Sequence, residues 1–97
     1  GHANLMHWNQ PECLEMMGDR LIATHVQDNY GVIDDHLLPY LGTIEWEPIM
    51  KTLKKINYQG AFAYETHKMT DRLPDPMIDA MMRYAYELGE YLLTLAN

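Results

Sequence analysis

The hydrophobic positions along this chain switch repeatedly between a helical spacing and an extended one. Residues 1–9 follow neither period and read as irregular chain. Pro11 suits a first helical position, and residues 11–17 predict a short helix that Gly18 ends. Residues 20–28 contain the run Leu21-Ile22-Ala23-Thr24-His25-Val26 and predict a strand. A long loop is expected over residues 29–45. Trp46, Ile49, Met50, Leu53 and Ile56 then form one stripe at helical period, with Lys51, Lys54 and Lys55 on the solvated side. Asn57-Tyr58-Gln59-Gly60 predict a turn, and residues 61–66 a second strand. Pro74 and Pro76 introduce a long helix reaching about Leu95, with Ile78, Met81, Met82, Ala85, Leu88, Leu92 and Leu95 on its apolar stripe.

The order is helix, strand, helix, strand, helix. That alternation predicts an α/β fold with two parallel strands joined by right-handed crossovers. Parallel strands are normally buried on both faces, so two of them cannot cover themselves and something else has to complete the sheet. A homo-oligomer or a swapped assembly is therefore expected of the chain taken alone. Side-chain alternation sorts the two strands into unlike faces. Leu21, Ala23, His25 and Gln27 share one side of the first, and Ala61, Ala63 and Glu65 one side of the second. The opposite sides carry Ile22 and Val26, and Phe62 and Tyr64, bulky enough to pack on helices. One face is thus small and turns polar toward the C-terminal strand ends, which is where barrel active sites form.

Composition narrows the function classes. At 97 residues there is room for one small domain, residues 1–97, with a marginal core. Seven Lys and Arg face fourteen Asp and Glu, a net charge of −7, which disfavours a nucleic-acid partner because phosphate binding needs clustered cations. No apolar run approaches a membrane span and no signal peptide is visible, so no membrane partner is expected. Cys13 is the single cysteine, too few for an internal disulfide, and points to a reducing cytoplasm. The chain opens on Gly1 rather than Met, as expected of a processed or truncated product.

The candidate chemistry sits at the strand ends. Neighbouring strands lie about 4.8 Å apart, so His25 and Glu65 can reach a common ion from adjacent tips. An imidazole and a carboxylate suit Mn²⁺, Zn²⁺, Fe²⁺ or Co²⁺. By spacing alone such a pair is more often structural. Cys13 is read as inert, His7 and His67 as surface residues, His67 being close enough to Glu65 to line a site, and Met77, Met81 and Met82 as core. Tyr84, Tyr86 and Tyr91 read as packing and rim residues.

A series of short motifs adds to this. Gly1-His2-Ala3-Asn4, His25-Val26-Gln27-Asp28-Asn29, Asp34-Asp35-His36-Leu37-Leu38-Pro39, Gly42-Thr43-Ile44-Glu45-Trp46 and Tyr64-Glu65 occur in that order. Together they resemble the sugar phosphate isomerase/epimerase family, relatives of xylose isomerase, the ketose 3-epimerases and endonuclease IV. The resemblance runs over essentially the whole chain and implies the C-terminal portion of a (β/α)8 TIM barrel, incomplete here, with the first five strands elsewhere.

It also implies roles. Gly1-His2 look like the end of a sixth-strand motif whose metal-binding Asp lies upstream, which makes His2 a substrate- or metal-facing histidine. His25 looks like the seventh-strand metal ligand. Glu65 looks like the eighth-strand carboxylate, both ligand and catalytic acid/base. Asp34 and His36 resemble an Asp-x-His pair that binds additional zinc in endonuclease IV, and are expected to bind substrate here. The implied cofactor is a divalent metal, Mn²⁺ foremost, with Mg²⁺, Co²⁺ or Zn²⁺ as alternatives, and with its upstream ligands elsewhere it is expected to bind this chain alone weakly or not at all. The implied reaction is isomerisation or epimerisation of a sugar or sugar phosphate, by proton transfer through a metal-stabilised enediolate. One departure stands out: the ketose 3-epimerases carry an arginine after the seventh-strand histidine, and residues 26–38 contain no Lys or Arg. The chain alone is expected to be inactive. An endonuclease IV-like phosphodiesterase and a non-catalytic, self-associating fragment are the alternatives.

Overall fold

A helix begins where irregular chain was expected. In the computed structural model, which describes residues 1–97, α1 spans His2–Leu5, closed by Leu5 N–H and Met6 N–H donating to the Gly1 and His2 carbonyls. Four residues are too few to show an amphipathic stripe, so this turn leaves no periodic trace in the sequence. α2 (Gln10–Met17) follows. The Asn9 side chain accepts from Glu12 N–H at 3.1 Å to cap it, and Gly18, at φ +53°, ends it. A single 3₁₀ turn, Gly18–Arg20, then leads toward the sheet.

The sheet is two-stranded and parallel. β1 (Thr24–Val26) pairs with β2 (Phe62–Tyr64) in the register Thr24↔Phe62, His25↔Ala63 and Val26↔Tyr64. Both strands are shorter than the predicted 20–28 and 61–66, because ladder pairing, not apolar content, defines a strand. Ile22 corrects the predicted face assignment: it precedes the ladder and stands 81% exposed instead of packing on a helix. Within the ladder the faces separate as expected. Val26 is buried and Phe62 and Tyr64 pack against the core, whereas His25 and Ala63 are exposed on the other side.

α3 (Trp46–Lys55) and α4 (Asp75–Leu95) cover the apolar face, with α3 lying between α2 and α4. The core joins Val26 to Trp46, Ile49, Met50 and Leu53 from α3, Ala85, Leu88 and Leu92 from α4, and Leu38 and Ile44 from the long loop. Removing such side chains from water is the main force holding these elements together, at about 1.5–3 kcal/mol for each fully buried large side chain. Met81 packs against this core, but Met77 and Met82 are about half exposed, which corrects their assignment to it. Met82 instead lines an open groove of about 620 Å³ beside Phe62, Tyr86 and Leu93. The lysines of α3 point to solvent and make exposed ion pairs, Lys51–Glu47 at 2.6 Å and Lys55–Glu15 at 2.8 Å, which contribute little. No helix is long and apolar enough to cross a membrane.

The segment after β1 is more ordered than an open loop. Asp28 and Leu37 form an antiparallel bridge, with N–H to carbonyl distances of 2.7 and 2.9 Å. The Asp28 side chain is wholly buried and accepts four hydrogen bonds: from Asn29 N–H (2.8 Å), Tyr40 N–H (3.1 Å), Ile44 N–H (3.2 Å) and Trp46 Nε1–H (2.9 Å). One carboxylate thus ties the strand end, the loop and the first residue of α3 into a single unit. Gly42 is pressed so close to Asp28 Oδ1 and the Asn29 carbonyl that a Cβ there would overlap both.

Candidate metal centre

His25 and Glu65 meet at the C-terminal end of the two strands. Glu65 N–H continues the ladder by donating to the Val26 carbonyl at 2.8 Å, which puts Glu65 on the same side of the sheet as His25. Their side chains come within 3.3 Å, His25 Nδ1 to Glu65 Oε2. His25 is 73% exposed and Glu65 33%, so both are open to an incoming ligand.

A second set of donors lies beside them. His2 of α1 and Asp34 and His36 of the loop bring their ligand atoms within 4.8 Å of one another. Asp34 Oδ2 stands 3.1 Å from His2 Nε2 and 3.0 Å from His36 Nε2. His36 also links the two sets, since its Nδ1 lies 2.9 Å from the Glu65 carbonyl. A carbonyl only accepts, so Nδ1 carries the proton and Nε2 of the neutral ring turns a lone pair toward Asp34 and His2. This is how a metal-ligating histidine is usually fixed by its outer partner. The backbone at His36 is held at φ +56°, a conformation a non-glycine residue rarely adopts unless its surroundings impose it. The Asp28–Leu37 bridge follows immediately in sequence.

Electrostatics agrees with the geometry. The Glu65 carbonyl accepting from the His36 ring, aided by Asp34 and opposed by desolvation, holds the His36 pKa above its ordinary value. Desolvation pushes the Asp34 carboxyl up, but hydrogen bonds from His36, once that ring is protonated at Nε2 as well, and from His2 outweigh it and leave the group below its ordinary value. With Nε2 of His36 and Oδ2 of Asp34 3.0 Å apart, either a proton or a cation has to lie between two lone pairs. Two imidazoles and one carboxylate form a donor set for a first-row divalent ion. The set fits a metal.

Sequence reading assigned metal to His25 and Glu65 and substrate to His2, Asp34 and His36. The structure brings each group together, and the group with three donors is the latter. Two neighbours, Gln27 and Asn29, carried no assigned role, and a third, His67, was read as a surface residue. Gln27 is 1% exposed, with Nε2 3.4 Å from His36 Nε2 and an Oε1 that has no hydrogen-bond partner. Asn29 is buried against α1, and the exposed His67 ring lies 5.0 Å from that of His36. The available signal was three consecutive polar residues, Gln27-Asp28-Asn29, directly after an apolar strand: buried there, they have to be paired.

The model of the xylose isomerase-like TIM barrel family matches residues 1–88. The chain belongs to this family. Its two parallel strands with alternating helices are a portion of that barrel. Relatives within reach of sequence comparison include an uncharacterised protein of Sinorhizobium fredii, 46% identical over 68% of this chain and 21% of its own length. An uncharacterised protein of Methanocaldococcus jannaschii is 34% identical over 73% of this chain and 25% of its own. A D-psicose 3-epimerase of Enterocloster bolteae is 32% identical over 70% of this chain and 21% of its own. The chain thus spans only a fifth to a quarter of the length of these relatives. No solved structure matches the chain.

Proposed function

We propose that this chain is the metal-binding, C-terminal portion of a sugar isomerase or epimerase. The carrying observation is the convergence of His2, Asp34 and His36 next to the His25–Glu65 pair, at the polar end of two parallel strands. The likeness to a D-psicose 3-epimerase supports the reaction class. A divalent cation, Mn²⁺ foremost, would be held by His25 and Glu65, and the His2–Asp34–His36 set offers a second position. When bound, such a cation supplies positive charge beside the substrate's oxygens. The chain's own residues do the rest. Glu65, a carboxylate at a strand tip, takes or returns the proton on the carbon next to the carbonyl. His2 and Asp34, both exposed, orient sugar hydroxyls, and His36 holds its ring edge toward them from the Glu65 carbonyl. In the epimerases that the chain resembles, two carboxylates on opposite sides of the substrate share the proton transfer; with Glu65 alone, this chain is expected to show no turnover.

The test uses the full-length protein, screened on pentoses, hexoses and their phosphates with Mn²⁺, Mg²⁺, Co²⁺ and Zn²⁺. Glu65→Gln should lower turnover by roughly 10²- to 10⁴-fold, the usual worth of general acid/base catalysis, and excess Mn²⁺ should not restore it. A fully active Glu65→Gln protein removes Glu65 from catalysis. The three-donor cluster also favours a second reading, an endonuclease IV-like phosphodiesterase, although a net charge of −7 on this portion opposes it. Cleavage of abasic DNA with no action on sugars would decide for that reading.

A further inference from the structure

The three clustered donors come from two separate stretches of chain, and something has to hold those stretches together. Apart from the His2–Asp34 contact, four hydrogen bonds join residues 1–8 to the rest of the molecule, and three of them involve Asn29. Asn4 Nδ2 donates to Asn29 Oδ1 at 2.8 Å and to the Asn29 carbonyl at 3.3 Å. Asn29 Nδ2 in turn donates to the Gly1 carbonyl at 2.9 Å. The fourth bond runs from Asn4 to Thr43 Oγ1, which itself donates to the Asn29 carbonyl.

Asn29 grips the loop equally firmly. Its Oδ1 accepts from Gly31 N–H at 2.9 Å, where the loop departs, and its carbonyl accepts from Thr43 N–H at 2.9 Å, where the loop returns. Asp34 and His36 lie between those two points. The side chain is fully buried, and burying an amide costs free energy unless both ends are paired. Here both ends are paired, and their partners lie on the His2 segment and the loop. Only an amide fits the pattern: one end has to accept from Asn4 and Gly31, the other to donate to a carbonyl. An aspartate would set an oxygen against the Gly1 carbonyl.

We propose that Asn29 is the positioning residue of the His2–Asp34–His36 cluster, fixing α1 against the loop so that the three donor atoms converge. It does not touch the ion. The inference rests on the metal reading above, and its test separates the two. The full-length protein is titrated with Co²⁺ and Zn²⁺ in competition with a chelator, following the visible Co²⁺ bands, alongside Asn29→Ala and Asn4→Ala. Asn4→Ala opens the same joint from the half-buried α1 side, and decides the matter should Asn29→Ala fail to fold. Both variants should bind about 10- to 100-fold more weakly, the usual effect of losing an outer partner of a metal ligand, with altered Co²⁺ bands. The metal-free melting temperature of Asn4→Ala should stay close to wild type. Wild-type affinity in folded variants overturns the proposal. Should the wild type take up neither metal, the metal reading falls. Asn29 is then judged by the nuclear Overhauser contact between the His2 and His36 rings, whose centres lie 5.9 Å apart. Loss of that contact in Asn4→Ala upholds the positioning role, and its persistence overturns it.

Discussion

Asp28→Asn is the sharpest perturbation of this fold, because it changes almost no volume and one row of hydrogen bonds. The buried carboxylate accepts from Asn29 and Ile44 N–H through Oδ1, and from Tyr40 N–H and Trp46 Nε1–H through Oδ2. An amide in its place has one oxygen and one NH₂. Whichever way it turns, the NH₂ faces two donors that lose their acceptor. A buried donor left unpaired costs about 1–3 kcal/mol, so the substitution should cost roughly 3 kcal/mol or more. In a domain of this size each kcal/mol moves the melting temperature by about 4–8 °C, giving a drop of roughly 12–24 °C. Thermal and urea unfolding followed by far-ultraviolet circular dichroism measure both quantities. Trp46→Phe removes one donor while keeping the ring packed, and should cost about 1 kcal/mol. In the double variant the two losses should fall short of additivity, since they share a bond. A cost below about 1 kcal/mol for Asp28→Asn would refute the reasoning, because the freed donors would then have found other partners.

Gly42→Ala should destabilise the protein by a few kcal/mol, since the new methyl group meets Asp28 and backbone rather than a flexible side chain; the same melts test it, and an unchanged midpoint would count against the packing described. In chelator, stability should be greatest from about pH 4 to 6.5. His36, raised above its ordinary 6.5, favours the folded state fully below that value and loses its contribution as pH rises through its folded pKa. Asp34, lowered from 3.8, contributes above that value and loses its contribution as pH falls through its folded pKa. Melting temperatures across pH, with His36→Gln flattening the upper limb, provide the check. Finally, the open edges of the two-stranded sheet and the groove beside β2 predict self-association, so light scattering on dilute protein should report a mass above 11.3 kDa; a stable monomer would contradict it.

How much of this was legible in the sequence depends on how local the determining forces are. α3 and α4 were readable because each buries a stripe that repeats at helical spacing. α1 was not, since four residues show no period, and the strands were overextended because pairing in a sheet depends on a distant partner. The His25–Glu65 encounter followed from side-chain alternation on neighbouring strands. The meeting of His2 with Asp34, 32 residues apart, came only from family resemblance. It depends on a loop path set by Asp28, Asn29 and Gly42, whose roles emerge only when buried hydrogen bonds are followed through the structure. Met77 lies in line with the buried face but a turn beyond the reach of the core, which periodicity alone cannot reveal, and Met82 sits at the edge of that face, on the groove.

The bond from His36 to residue 65 ends on a peptide carbonyl rather than on a carboxylate. Any side chain at that position presents the same oxygen, so mutagenesis can dissect the locale cleanly. Swapping the Glu65 carboxylate for an amide, or deleting it outright, leaves the His36 ring anchored and its tautomer unchanged. The Glu65 carboxylate and the anchor of the neighbouring imidazole are therefore separately editable, and a defect from altering one need not be disentangled from a collapse of the other.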